Sequence, residues 1–323
     1  MQNSPLHKTK HFFALVIKLF IVIGCGYFIY LKLAHNEHLS FATFLSETTQ
    51  NNIFSFKNCS ILFFLTFSNW FLEITKWHLL ANNITRVSFY QSIKQSLASL
   101  TVSLITPNRV GEYGAKAVYF KKPYRKQVVG LNLIGNLYQL LATVFFGLFG
   151  LLYFIYNQNI EIKSSQLMLT SVALIALLVT IYFGVNYFSF SKKLLKKARK
   201  FVSGIPFYLN LKIGLLSFLR FAIFSHQFYF LLMIFQVDIS YLEAITSVSS
   251  MYLIASVIPM LSLFDVVLKS SVAIWVFSFY LVDETTVLGI TMLMWIFNFV
   301  FPAIIGSYFV LTFDTQKLIT TKE

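Results

Sequence analysis

Residues 105–116 read ITPNRVGEYGAK and place Arg109, Glu112 and Lys116 in one short stretch between apolar runs. Glu112 and Lys116 are four apart with the acid first, the favourable order for an ion pair on one helix face. Arg109 stands three before Glu112, at the start of the helix the spacing predicts, so helical spacing does not assign its partner. A guanidinium offers a planar fork suited to a carboxylate or a phosphate. The amides around Gly111 and the helix start add positive potential beside it. These types at this spacing specify an anion site of phosphate size. The competing reading is a structural ion pair that offsets its own desolvation. A second stretch, residues 259–269, repeats the theme: Pro259, Asp265 and Lys269, again with acid and lysine four apart. Its spacing from the proline is one residue longer than in the first stretch, where Pro107 leads.

Other polar residues fall inside apolar runs. Asn132, Asn136 and Gln139 are four and three apart, so they share one helix face, expected to look inward. Arg220 in mid-run is costly unless paired or solvated; Asp265 or a lipid phosphate are the expected partners. His226 and Gln227 are expected to join the same interior, and Asn298, with Pro302 beyond, marks a polar or unwound stretch. Gly111 and Gly114 fit a tight turn and close helix packing. The chemistry of soluble enzymes is missing: there is no nucleotide loop, no nucleophile elbow and no zinc helix. Cys25 and Cys59 form no metal-ligand spacing and no disulfide framework. No cofactor, metal or catalytic residue is therefore expected, although an intramembrane enzyme using Glu112 or Asp265 is the enzymatic alternative.

The elements that must carry these residues follow from composition. With 57% hydrophobic and only 12% charged residues and a mean hydropathy of +0.70, the chain reads as an all-α polytopic membrane protein rather than a soluble one. Its formal charge of +14 would suit nucleic acid, but the lysines cluster in short loops between apolar runs, which is a topology signal. Full spans are expected at residues 12–31, 59–80, 128–156, 167–188, 211–237 and 287–311. The first shows no cleavage pattern and is kept as a helix. The second is expected to end in Glu73, Lys76 and His78. Residues 89–122 and 244–280 each break at a proline, giving pieces too short to cross. They are expected to be re-entrant hairpins, one from the cytoplasmic side and one from outside, within a single transmembrane domain of residues 1–323. With both termini in the cytoplasm, the basic loops at 76–86, 121–126 and 192–200 all fall inside. Eight full spans is the rival topology, disfavoured because it puts the 192–200 block outside. Two broken regions of opposite orientation make the pattern of an inverted repeat, which many transporters use to build a midplane site.

Pro107, Arg109, Gly111 and Glu112 match a Pro-x-Arg-x-Gly-Glu pattern, and the chain resembles the lysylphosphatidylglycerol synthase transmembrane-region family, a group of flippase-like integral membrane proteins. Residues 132–139, 220–227, the Pro259 region and residues 298–306 extend the resemblance in order. It implies a domain that moves lipids or lipid-linked molecules between leaflets of the bacterial inner membrane. The chain departs from the family in carrying no synthase domain before its end at Glu323, and in reading LSLFD at 261–265 where relatives often carry a glycine-rich segment.

The expected function is transbilayer movement of an anionic phospholipid or a polyprenyl-phosphate-linked lipid. Arg109, Glu112, Lys116, Asn132, Asn136, Gln139, Arg220, Gln227, Asp265, Lys269 and Asn298 are the candidate substrate-binding residues. The expected partners are membrane lipids, and an anionic headgroup in particular. Two alternatives stand beside it: an accessory protein for an envelope biosynthetic enzyme, and a transporter of small organic anions.

Overall fold

The computed structural model describes residues 55–106, 109–158, 204–257 and 265–314, with isolated positions among residues 16–27 and at 201. Most of the span expected at 12–31, all of that at 167–188, the basic run at 192–200, Pro107, Pro259 and the Asp265 side chain lie outside the described residues. Every element among the described residues is helical, without a strand. The helices are α1 (Phe56–Asn82), α2 (Phe89–Leu104), α3 (Val110–Val118), α4 (Arg125–Asn157), α5 (Phe207–Ile234), α6 (Tyr241–Val257), α7 (Asp265–Ser278) and α8 (Glu284–Leu311).

Local chemistry sets the ends. Ser55 caps α1 by accepting from the Asn58 amide. Ser88 and Gln91 form a reciprocal capping box at the start of α2. The Asp283 carboxylate accepts from the Thr285 and Thr286 amides at the start of α8. Between α2 and α3 the chain breaks, and Arg109 enters α3 in the left-handed conformation with φ 56°. That geometry costs an ordinary residue roughly 1–2 kcal/mol, so surrounding structure must hold it there.

Three helical stretches, residues Lys122–Asn157, Phe207–Ile234 and Glu284–Leu311, are long and apolar enough to cross a membrane. Polarity is turned inside out relative to a soluble fold. Phe64, Phe67, Leu141, Leu152 and Leu215 face outward, while Glu73, Lys76, Lys116, Asn132, Gln227 and Asn298 are buried. Such a surface suits lipid, and buried charge in such a bundle points to use.

The helices pair closely as α1 with α5, α4 with α6, and α2 with both α3 and the C-terminal half of α8. The α2–α8 crossing is tight: a Cβ on Gly306 would stand 2.2 Å from the Leu97 carbonyl oxygen, and the Thr101 hydroxyl donates to the Ala303 carbonyl at 3.0 Å. Small residues allow such backbone approach. Midway along α8, residues Ile296–Val300 form a π-helical turn. Such turns recur at functional positions because they reset the register of the side chains that follow. Here the turn carries Asn298 into the bundle.

Candidate functional site

The site grows from three polar faces. On α1, Asn69, Glu73 and Lys76 are four and three apart, so they lie on one inward face, and all three are buried. On α4, Asn132, Asn136 and Gln139 do the same by spacing. On α3, Glu112 and Lys116 stack one turn apart. Single polar residues come from α5 (Arg220, Gln227) and from the π turn of α8 (Asn298).

Glu73 is the hub of one half. Its Oε2 forms an ion pair with Lys76 Nζ at 2.7 Å and accepts from Arg220 Nη1 at 2.8 Å. Arg220 also donates through Nε to Asn69 Oδ1 at 3.0 Å and through Nη1 to Gln139 Oε1 at 3.4 Å. Asn69 passes the chain on, donating to Asn298 Oδ1 at 2.8 Å. Asn298 donates to Gln227 Oε1 at 2.9 Å, and Gln227 donates to the Thr66 hydroxyl at 2.9 Å. The Trp70 indole donates to the Asn298 carbonyl at 3.0 Å, so the π turn is anchored by both side chain and backbone.

Lys116 is the hub of the other half. It is 2% exposed, donates to Glu112 Oε1 at 2.8 Å and to Asn132 Oδ1 at 2.7 Å, and sits 4.5 Å from the centre of the Trp77 ring. Asn136 donates to the Tyr113 hydroxyl at 3.1 Å. Arg109 lies against the Phe299 ring, with its guanidinium carbon 5.2 Å from the ring centre.

Both halves border one small cavity of about 40 Å³, lined by Glu73, Ser96, Arg109, Glu112, Lys116, Asn136 and Arg220 among others. With Lys76, the charged groups among the described residues there are four basic side chains and two carboxylates. The Ser96 hydroxyl borders the cavity, is buried, and has no hydrogen-bond partner. The Asn132 amide nitrogen is also buried without a partner. A buried donor left unmet costs about 1–3 kcal/mol, so each of these groups calls for a partner.

The structure therefore brings Arg109, Glu112, Lys116, Asn132, Asn136, Gln139, Arg220, Gln227 and Asn298 into one connected interior. Lys269 lies apart from the small cavity, against Phe299 with Nζ 5.7 Å from the ring centre. One expectation is corrected. Glu73, which the sequence reading sets at the polar end of a span, is a partner of Arg220, because α1 continues to Asn82 and buries it; the expected Asp265 side chain lies outside the described residues. His226 also departs from expectation: it points outward and meets the Tyr241 hydroxyl at 2.9 Å, while its neighbour Gln227 faces in. Gly111 is at a close approach, its virtual Cβ 2.7 Å from the Thr106 hydroxyl, whereas Gly114 faces open space. Among the described residues, no group of three or more His, Cys, Asp or Glu side chains is placed to hold a metal. No protein-family model, curated protein or solved structure matches the chain.

Proposed function

We propose that the chain moves an anionic, phosphate-bearing lipid across the bacterial inner membrane. The observation that carries this reading is the gathering, among the described residues, of three basic side chains and two carboxylates around a small cavity that also holds an orphan hydroxyl. Cations gathered in a low-dielectric interior cost several kcal/mol unless each finds anionic or dipolar partners, so a cavity lined by them favours an anion. A lipid phosphate supplies that charge while its acyl chains stay among the outward-facing Phe and Leu side chains. In this reading Arg220, Lys116 and Arg109 hold the phosphate, with Ser96 and Asn132 as neutral donors. Glu73 and Glu112 hold the cations in place while the site stands without lipid.

The topology proposed with it has six full spans, hairpins at residues 89–122 and 244–280 entering from opposite faces, and both termini in the cytoplasm. The break that sets Arg109 at the head of α3, packed back on α2, supports the first hairpin. Both the charge asymmetry of the loops and the resemblance to the flippase-like family support the orientation and the lipid substrate.

Reconstitution into liposomes with fluorescent anionic lipid, read by chemical quenching of the outer leaflet, tests the proposal. Ser96→Ala deletes no existing bond of the hydroxyl. A purely structural cluster would leave its stability and its lipid movement both untouched. A ligand site predicts unchanged stability with movement slowed about tenfold, the equivalent of one hydrogen bond to a charged group. Ser96→Asp, which supplies a carboxylate to the cluster, is expected to raise Tm and stop movement. Movement unchanged in both variants, or in Arg109→Ala, removes the corresponding role.

A further inference from the structure

A second cavity, of about 520 Å³, opens where the α1–α2 turn meets the ends of α3 and α8. Its charged lining is Arg86, Lys94 and Lys121 against Asp314, three basic groups to one acidic. That volume lies in the range of small-molecule binding sites, whereas the inner cavity of about 40 Å³ is far too small for a headgroup as it stands.

The two cavities are joined through one side chain. Gln95 and Phe120 are buried in the wall of the outer cavity. Gln95 Oε1 accepts from the Trp77 indole at 2.7 Å, and the Phe120 ring meets Trp77 edge-on with centres 6.3 Å apart. Lys116 Nζ stands over the indole, 4.5 Å from the ring centre, and Lys116 lines the inner cavity. Trp77 thus touches both the wall of the outer cavity and the inner cation.

We propose that the outer cavity is a capture site for a phosphate monoester or diester, and that Trp77 is the partition a captured group must displace to reach Lys116. The inference rests on the anion reading of the inner cluster. Arg86 and Lys121 are exposed, so they attract at long range and release readily. Lys94 is partly buried and held 4.3 Å from the Tyr90 ring, which fixes one positive charge at the cavity wall. Passage inward breaks the Trp77–Gln95 hydrogen bond and the Lys116–indole contact together. The phosphate replaces the lost indole contact at Lys116, so the partition opens at least cost when an anion is present.

The test uses the full chain with Cys25 and Cys59 replaced by serine and a reporter, Thr85→Cys, on the exposed rim of the outer cavity. Its alkylation rate by a small maleimide is measured in phosphatidylcholine nanodiscs, in the same discs with phosphatidic acid added, and in plain discs with inorganic phosphate. Severalfold protection with phosphatidic acid alone assigns a lipid headgroup. Protection also by inorganic phosphate assigns the bare phosphate group. Protection by neither, or protection that survives Lys94→Gln with Lys121→Gln, overturns the capture site. Trp77→Phe removes the hydrogen bond to Gln95. It is expected to keep the protection and change the rate of lipid movement severalfold; an unchanged rate overturns the partition. The inner reading is separated by Ser96→Asp, expected to keep the protection while movement stops. If that variant still moves lipid, the inner reading fails while the capture site stands. If the unaltered site moves lipid without any protection of the reporter, the capture site fails while the inner reading stands.

Discussion

At the first break in the bundle Lys116 is bonded to Glu112 and Asn132 and covered by Trp77; at the second, Lys269 faces the Phe299 ring beside an aromatic pocket containing Phe224, Phe228, Tyr252 and Trp295. Both breaks carry an acid and a lysine four apart. Their surroundings differ because different helices close over them. α1 and α4 bring polar faces to the first, while α5, α6 and α8 bring rings to the second. Among the described residues, the lysine of that spacing sits in a charge network in one place and lines an aromatic cavity of about 30 Å³ in the other. The two regions meet at Phe299, whose ring lies against both Arg109 and Lys269. That ring belongs to the π turn that also presents Asn298 to the polar chain.

The contrast is most easily broken at Glu73. Glu73→Ala leaves Lys76 and Arg220 without the carboxylate they share, and buried charges stripped of a partner cost about 3–5 kcal/mol. Loss of monodisperse protein, or a large fall in Tm in detergent, is expected. Lys269→Met, in the aromatic region, is expected to lower Tm less. A Glu73→Ala protein as stable as Lys269→Met would mean that the two regions do not differ as described. Next in size is Lys116→Met, which strands Glu112 at a cost of about 3 kcal/mol. The double variant Lys116→Met with Glu112→Gln is expected to recover most of it, since the pair interacts directly. A strictly additive double variant would show that the bond at 2.8 Å carries no coupling. Phe299→Leu tests the junction. It removes two cation–ring contacts, worth about 0.5–2 kcal/mol each, and its effect is expected to shrink in an Arg109→Ala background.

Much of this is legible in the chain. Apolar runs bounded by charges place the helix limits within a few residues, because lipid-facing surface and loop charge are both written in composition. Arg109, Glu112 and Lys116, and the Asn132–Asn136–Gln139 face, follow from helical spacing alone. Glu73 is harder to read as part of the site. With Lys76 and His78 it looks like the polar end of a span, and only the continuation of α1 to Asn82 shows it lies inside. A signal is present all the same: Asn69, Glu73 and Lys76 repeat the four-and-three spacing that marks α4. Gln95 and Trp77 are beyond the reach of sequence, because their bond joins two helices whose relative rotation no local pattern fixes.

The smallest expected effect lies outside both breaks, at Asp283, and serves as their control. Its carboxylate accepts from the Thr285 hydroxyl and from the Thr285 and Thr286 amides at the head of α8. The Thr285 hydroxyl, more than the amides, holds its pKa below the usual carboxylate value, against a smaller opposing effect of burial. A carboxylate with a lowered folded-state pKa contributes stability above its unfolded pKa and loses it as pH falls through the folded value. Asp283→Asn keeps a good capping side chain but cannot titrate, and a cap of this kind is worth about 1 kcal/mol. The wild type is therefore expected to be the more stable of the two at neutral pH, with the difference in Tm closing as the medium is acidified below the carboxylate range. A gap that stays constant with pH would assign the stability of the α8 start to cap geometry alone.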